Sequence, residues 1–77
     1  MPKLQRVKPR ELVRALKKAG FVEQRQRGSH LRMWREADKR LVIVPMHKGK
    51  DVPTGTLRGI LRDANISLDE FFRLLRK

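Results

Sequence analysis

Cysteine is absent from the 77 residues, so neither a disulfide framework nor a thiolate-bound zinc can hold the fold together. Tyrosine is absent as well, and one tryptophan with three phenylalanines is the whole aromatic complement. No apolar run approaches the roughly 20 residues that span a bilayer. The start, MPKLQRVKPRELV, is charged and lacks the hydrophobic centre of a secretory signal, so a cytoplasmic protein is expected. No pair of carboxylates is spaced for acid–base work, and no glycine-rich dinucleotide fingerprint appears. Two histidines without thiolates make a poor metal site, so neither a metal nor another cofactor is expected.

Negative charge is also scarce. Eight Asp and Glu stand against 20 Lys and Arg, a net charge of +12. The excess is uneven: residues 1–50 carry 15 basic and 4 acidic side chains, residues 51–77 only 5 and 4. A polyanion is the natural partner of such a surface, RNA or DNA before an acidic protein, and no membrane partner is expected. At this length the chain makes one domain, 1–77, with a compact core.

Periodicity divides that domain into an α-β-β-β-α order with a short extra helix. Pro9 to Ala19 reads as a helix with Leu12, Val13, Leu16 and Ala19 on one face and Gly20 just past its end. Lys8 is a poor N-cap for it. Phe21–Arg27, Ser29–Arg35 and Leu41–Pro45 read as strands, joined by a tight "RGS" turn and a looser "EADKR" turn that lacks glycine. Thr54 is placed to cap a helix carrying Leu57, Ile60, Leu61 and Ala64, and Asn65 suits a left-handed end. "SLDE" from Ser67 is a capping box for the last helix, with Leu68, Phe71, Phe72 and Leu75 as its apolar stripe. Helices on one face of an antiparallel three-stranded sheet follow, an α+β class.

The chemistry concentrates in RQRGSHLRMWR, residues 25–35. Side chains alternate across a strand, so Leu31 and Met33 share one face while His30, Arg32 and Trp34 share the other. If the apolar pair faces the helices, His30 lies in the open. Arginine for phosphate, indole for stacking and imidazole for proton transfer make a workable nucleotide site. Read from these residues alone, His30 is as easily a spectator, and Trp34 a cover for the sheet or a protein anchor. Arg25, Arg27, Arg32, Trp34 and Arg35, with His47, Lys48 and Lys50 of the loop MHKGKDVPTGT, are the candidate RNA-contacting residues. That loop lacks the spacing of a phosphate-binding P-loop, and His47 stands as an RNA contact, a structural residue or a second proton-transfer group. The apolar third strand, LVIVP, suggests that a partner covers one of its faces.

GSH (28–30), VPMH (44–47) and TGTLRGILRDANIS (54–67), in this order between ELVRALKKAGF and DEFFRLL, resemble the HicA family of small bacterial toxins. The resemblance implies a double-stranded-RNA-binding-domain-like fold, ribonuclease activity on mRNA and neutralisation by a HicB-type antitoxin. It also implies that His30 is catalytic, with Gly28 and Ser29 as the rest of its motif. A non-catalytic RNA-binding module of the same fold is the alternative. A DNA-binding domain is disfavoured by the lack of a basic helix after a helix-turn-helix turn.

Overall fold

The computed structural model describes residues 6–76; residues 1–5 and Lys77 fall outside that range. Helix α1 (Pro9–Lys18) is followed by strands β1 (Val22–Arg27), β2 (His30–Arg35) and β3 (Arg40–Pro45), then helices α2 (Thr54–Asp63) and α3 (Leu68–Arg76). The strands form an antiparallel sheet in the order β1-β2-β3. This is the expected α+β architecture, with element ends shifted by a residue or two. No helix among the described residues is long and apolar enough to cross a membrane.

Alternation assigns the two faces of the sheet. Leu31 and Met33 of β2 and Val42 and Val44 of β3 are buried against Leu12 and Leu16 of α1, Leu57 and Leu61 of α2 and Phe71 of α3. The intervening Arg32 and Ile43 are exposed, so the helices cover one face only. Phe21, just ahead of β1, and Val52, ahead of α2, close the ends of this core.

Local chemistry sets where the helices begin and end. Pro9 opens α1 at the position where its missing N–H costs nothing. Lys8 precedes it, and because an ammonium cannot accept a hydrogen bond, only half a capping box forms: the Lys8 backbone N–H donates to Glu11 Oε1 at 2.9 Å. Thr54 is not the cap of α2 but its first residue. Pro53 holds the cap position at φ −57 without any side-chain bond, and its carbonyl accepts the first helical N–H, from Leu57, at 2.8 Å. At α3 the expected cap forms, Ser67 Oγ accepting from the Glu70 N–H at 3.1 Å. Asn65 takes the left-handed conformation at φ 57. In the glycine-free second turn Lys39 is forced to φ 54, where a side chain costs roughly 1 kcal/mol.

Arg35, expected among the RNA-contacting cations, holds a structural position on the helix side of the sheet. It has the parity of Leu31 and Met33, and its guanidinium runs under the sheet to the helix ends. Nη1 donates to the Ala19 carbonyl at 2.9 Å and Nη2 to the Ala64 carbonyl at 2.8 Å, the C-cap residues of α1 and α2. Nε and Nη2 also bind both oxygens of Asp38 at 2.9 and 2.8 Å, and Cζ lies 4.5 Å from the centre of the Phe21 ring. One planar cation thus satisfies orphan carbonyls of two helices and sits at the negative ends of both dipoles. Gly20 makes room for it: a Cβ there would meet Arg35 Cδ at 3.2 Å, and its φ of +100 suits only glycine.

Lysine cannot reproduce this fork. Arg35→Lys is expected to cost about 2 kcal/mol, lowering the thermal midpoint by roughly 10 °C, measured by circular dichroism. The hydrogen bond from Arg35 holds the Asp38 carboxyl below its ordinary value, with Arg40 adding to the effect. A carboxyl depressed in the folded state stabilises the fold above its ordinary value of about 3.9 and loses that contribution as pH falls through the folded value. Below about pH 4 the parent should therefore lose stability faster than Asp38→Asn, and the two midpoints should converge in acid. Parallel curves would show that the ion pair adds nothing.

Candidate nucleic-acid interface

The open face of the sheet is built from three cross-strand rows. Directly opposed residues share a face, and the pairing places Val22, Trp34 and Leu41 in the first row. Arg25, Arg32 and Ile43 form the second, and Arg27, His30 and Pro45 the third. His30 is exposed there, as alternation predicts, at the first position of β2.

A bulge puts the β1 arginines on this face. Strict alternation from the buried Phe21 would turn Arg25 and Arg27 toward the helices. The register instead shifts between Glu23 and Arg25, leaving Gln24 unpaired, so that Arg25 faces Arg32 and Arg27 faces His30. Glu23, before the shift, stays on the helix side and pairs with Lys17 of α1.

The turn that leads into His30 is equally specific. Gly28 sits at φ 59 and opens a two-residue connection of the type II′ pattern, which wants glycine first. The Gln26 amide donates to the Gly28 carbonyl at 3.1 Å, and the Met46 N–H to the Ser29 carbonyl at 2.5 Å. The histidine is thus held between a braced turn and the end of β3.

Charge on this face is uncompensated. Among the described residues no ion pair or side-chain hydrogen bond engages Arg25, Arg27 or Arg32. Glu36 and Asp38 lie beyond the far end of β2 and are occupied by Lys39, Arg35 and Arg40. Arg25 and Arg32 are therefore like charges directly opposite one another, an arrangement that destabilises a sheet.

The remaining candidates fall in three places. Trp34 shares the open face but lies four residues along β2 from His30, about 13 Å, too far to touch the same nucleotide. Its indole N–H donates to Glu36 Oε1 at 3.0 Å. His47 and Lys48 do not join His30; they line a separate cleft with Lys8, Arg10 and Gln26, between the start of α1 and the β3–α2 loop. Lys50 is exposed on the same loop. Arg35 lies on the helix face with its donors engaged.

The cleft residues Lys8, Arg10 and Gln26 escaped the reading of the sequence. The pair of cations flanking Pro9 was the available signal for two of them. Gln26 gave none, because only the bulge turns it inward.

Residues 9–66 match the family model of the HicA toxin of bacterial toxin–antitoxin systems. No curated protein matches the chain. The matched span runs from the start of α1 through α2 and takes in the whole sheet and its open cationic face. The chain belongs to the HicA family, toxins of bacterial toxin–antitoxin systems whose partner is an antitoxin.

Proposed function

We propose that this toxin is a metal-independent endoribonuclease acting on mRNA in the cytoplasm, with His30 as its proton-transfer group. The observation that carries the reading is the Arg25–Arg32 pair beside an exposed histidine. Two opposed guanidiniums repel each other across β1 and β2. A phosphodiester laid between them converts that repulsion into charge-assisted hydrogen bonds.

The chemistry follows from the placement. The His30 imidazole takes the proton from a ribose 2′-hydroxyl as that oxygen attacks the adjacent phosphorus. Arg27 and Arg32 flank the ring along and across the strands and stabilise the charge that builds on the phosphoryl oxygens. The P–O5′ bond breaks, leaving a 2′,3′-cyclic phosphate and a 5′-hydroxyl, with the departing oxygen protonated by water. The position of His47 in the separate cleft favours water over that histidine as donor. The open face binds chiefly through charge, so sequence preference is expected to be weak.

A HicB-type antitoxin would silence the enzyme by covering the same face. Acidic groups would meet Arg25, Arg27 and Arg32, and apolar groups the stripe of Trp34, Leu41 and Ile43. Ile43 is 45% exposed and Val22, beside Trp34, 57%, so apolar surface on this face is available to such a partner.

Purified protein is expected to cut RNA in EDTA and leave 2′,3′-cyclic phosphate ends. His30→Ala should lower the rate at least about 100-fold without loss of RNA affinity. Strict magnesium dependence with 5′-phosphate products would exclude the mechanism, and a parent that binds but never cuts would favour the non-catalytic module. For the antitoxin, Arg32→Glu and Trp34→Ala should each weaken the toxin–antitoxin complex about tenfold or more in calorimetry. Unchanged affinity in both would place the footprint elsewhere.

A further inference from the structure

The cleft behind the sheet is used by nothing in the mechanism above, and its charge is not balanced from within. It encloses about 520 Å³ between the first turn of α1, the end of β1 and the β3–α2 loop. Its one carboxylate, Glu11, is turned onto the Lys8 backbone N–H, and the Lys8 ammonium is taken by Asp51 at 2.9 Å. Arg10 and Lys48 are exposed and have no acidic partner among the described residues. His47 and Gln26 add hydrogen-bonding side chains to its lining.

The cleft also lies at the same end of the sheet as His30. Gln26 stands beside Arg27, the cross-strand neighbour of His30, and Met46 follows Pro45, its other neighbour. Only the Gly28–Ser29 turn separates the two regions, and nothing lies within 4 Å of the space a side chain at Gly28 would occupy. A strand bound at His30 and carried over this low turn arrives among Arg10, Gln26, His47 and Lys48.

We infer that this cleft is a second backbone-phosphate site, holding the RNA on the far side of the turn from the bond presented to His30. The inference rests on the ribonuclease reading for its ligand, and it adds that part of the affinity is supplied by a face other than the one that cuts. An extended polyanion bends around the end of the sheet instead of lying flat on it.

The test uses a fully 2′-O-methylated RNA oligonucleotide, which cannot be cut, with binding followed by fluorescence anisotropy over a range of salt. Arg10→Glu and Lys48→Glu are compared with Arg73→Glu, an equal charge reversal on α3, after thermal melts show that all three are folded. Each cleft variant is expected to weaken binding about fivefold or more and to lower the salt slope by about one, while Arg73→Glu changes affinity less than twofold. Inorganic phosphate, against chloride at equal ionic strength, should shift the amide resonances of Arg10, His47 and Lys48.

Equal losses in all three variants, or none in the cleft variants, overturn the site. So does displacement by poly-glutamate as effective as by RNA, which would reassign the cleft to an acidic polypeptide. Binding that depends on the cleft in a protein that cuts nothing defeats the ribonuclease reading alone. Normal binding and cutting by both cleft variants defeats the cleft alone, and no RNA binding by the parent defeats both.

Discussion

Three short strands and three short helices bury one face of the sheet, and among the described residues nothing covers the other. That constraint shapes the whole molecule. The helix face takes the apolar side chains and uses Arg35 as a structural part that joins the ends of α1 and α2 to the β2–β3 turn. The open face takes the cations that the fold does not use. Arg25, Arg27 and Arg32 stand around His30 at a cost to the sheet, since like charges oppose each other there with no carboxylate between them. A fold selected for stability alone would place a glutamate in one of those positions.

Much of this arrangement is legible in the sequence because one strand is unambiguous. Leu31 and Met33 at alternate positions of β2 leave His30 and Arg32 only one face to occupy, and the structure places them there. Ser67 and Asn65 are similarly readable, since a hydroxyl three residues ahead of Glu70 and an asparagine after an apolar helix each have one economical conformation.

What could not be read depended on partners distant in sequence or on a strand with no buried residue to orient it. All six residues of β1, VEQRQR, are exposed, so nothing in that segment fixes its register, and the bulge at Gln24 decides which arginines reach His30. Arg35 carried the correct parity for the helix face, but the carbonyls that hold it lie 16 and 29 residues away, and arginine on a short strand ordinarily signals solvent. Thr54 was misplaced by one position because Pro53, with its fixed φ, enters the helix without a side-chain cap.

The central claim is that a histidine on an uncovered cationic face draws the proton from a ribose hydroxyl of RNA held by neighbouring arginines. The most direct measurement is cleavage of an RNA oligonucleotide carrying a single 2′-deoxyribose on the 5′ side of the bond that is cut. The account predicts that this bond survives while the oligonucleotide binds with unchanged Kd and is still cut elsewhere. Cleavage of the modified bond at the original rate would contradict it.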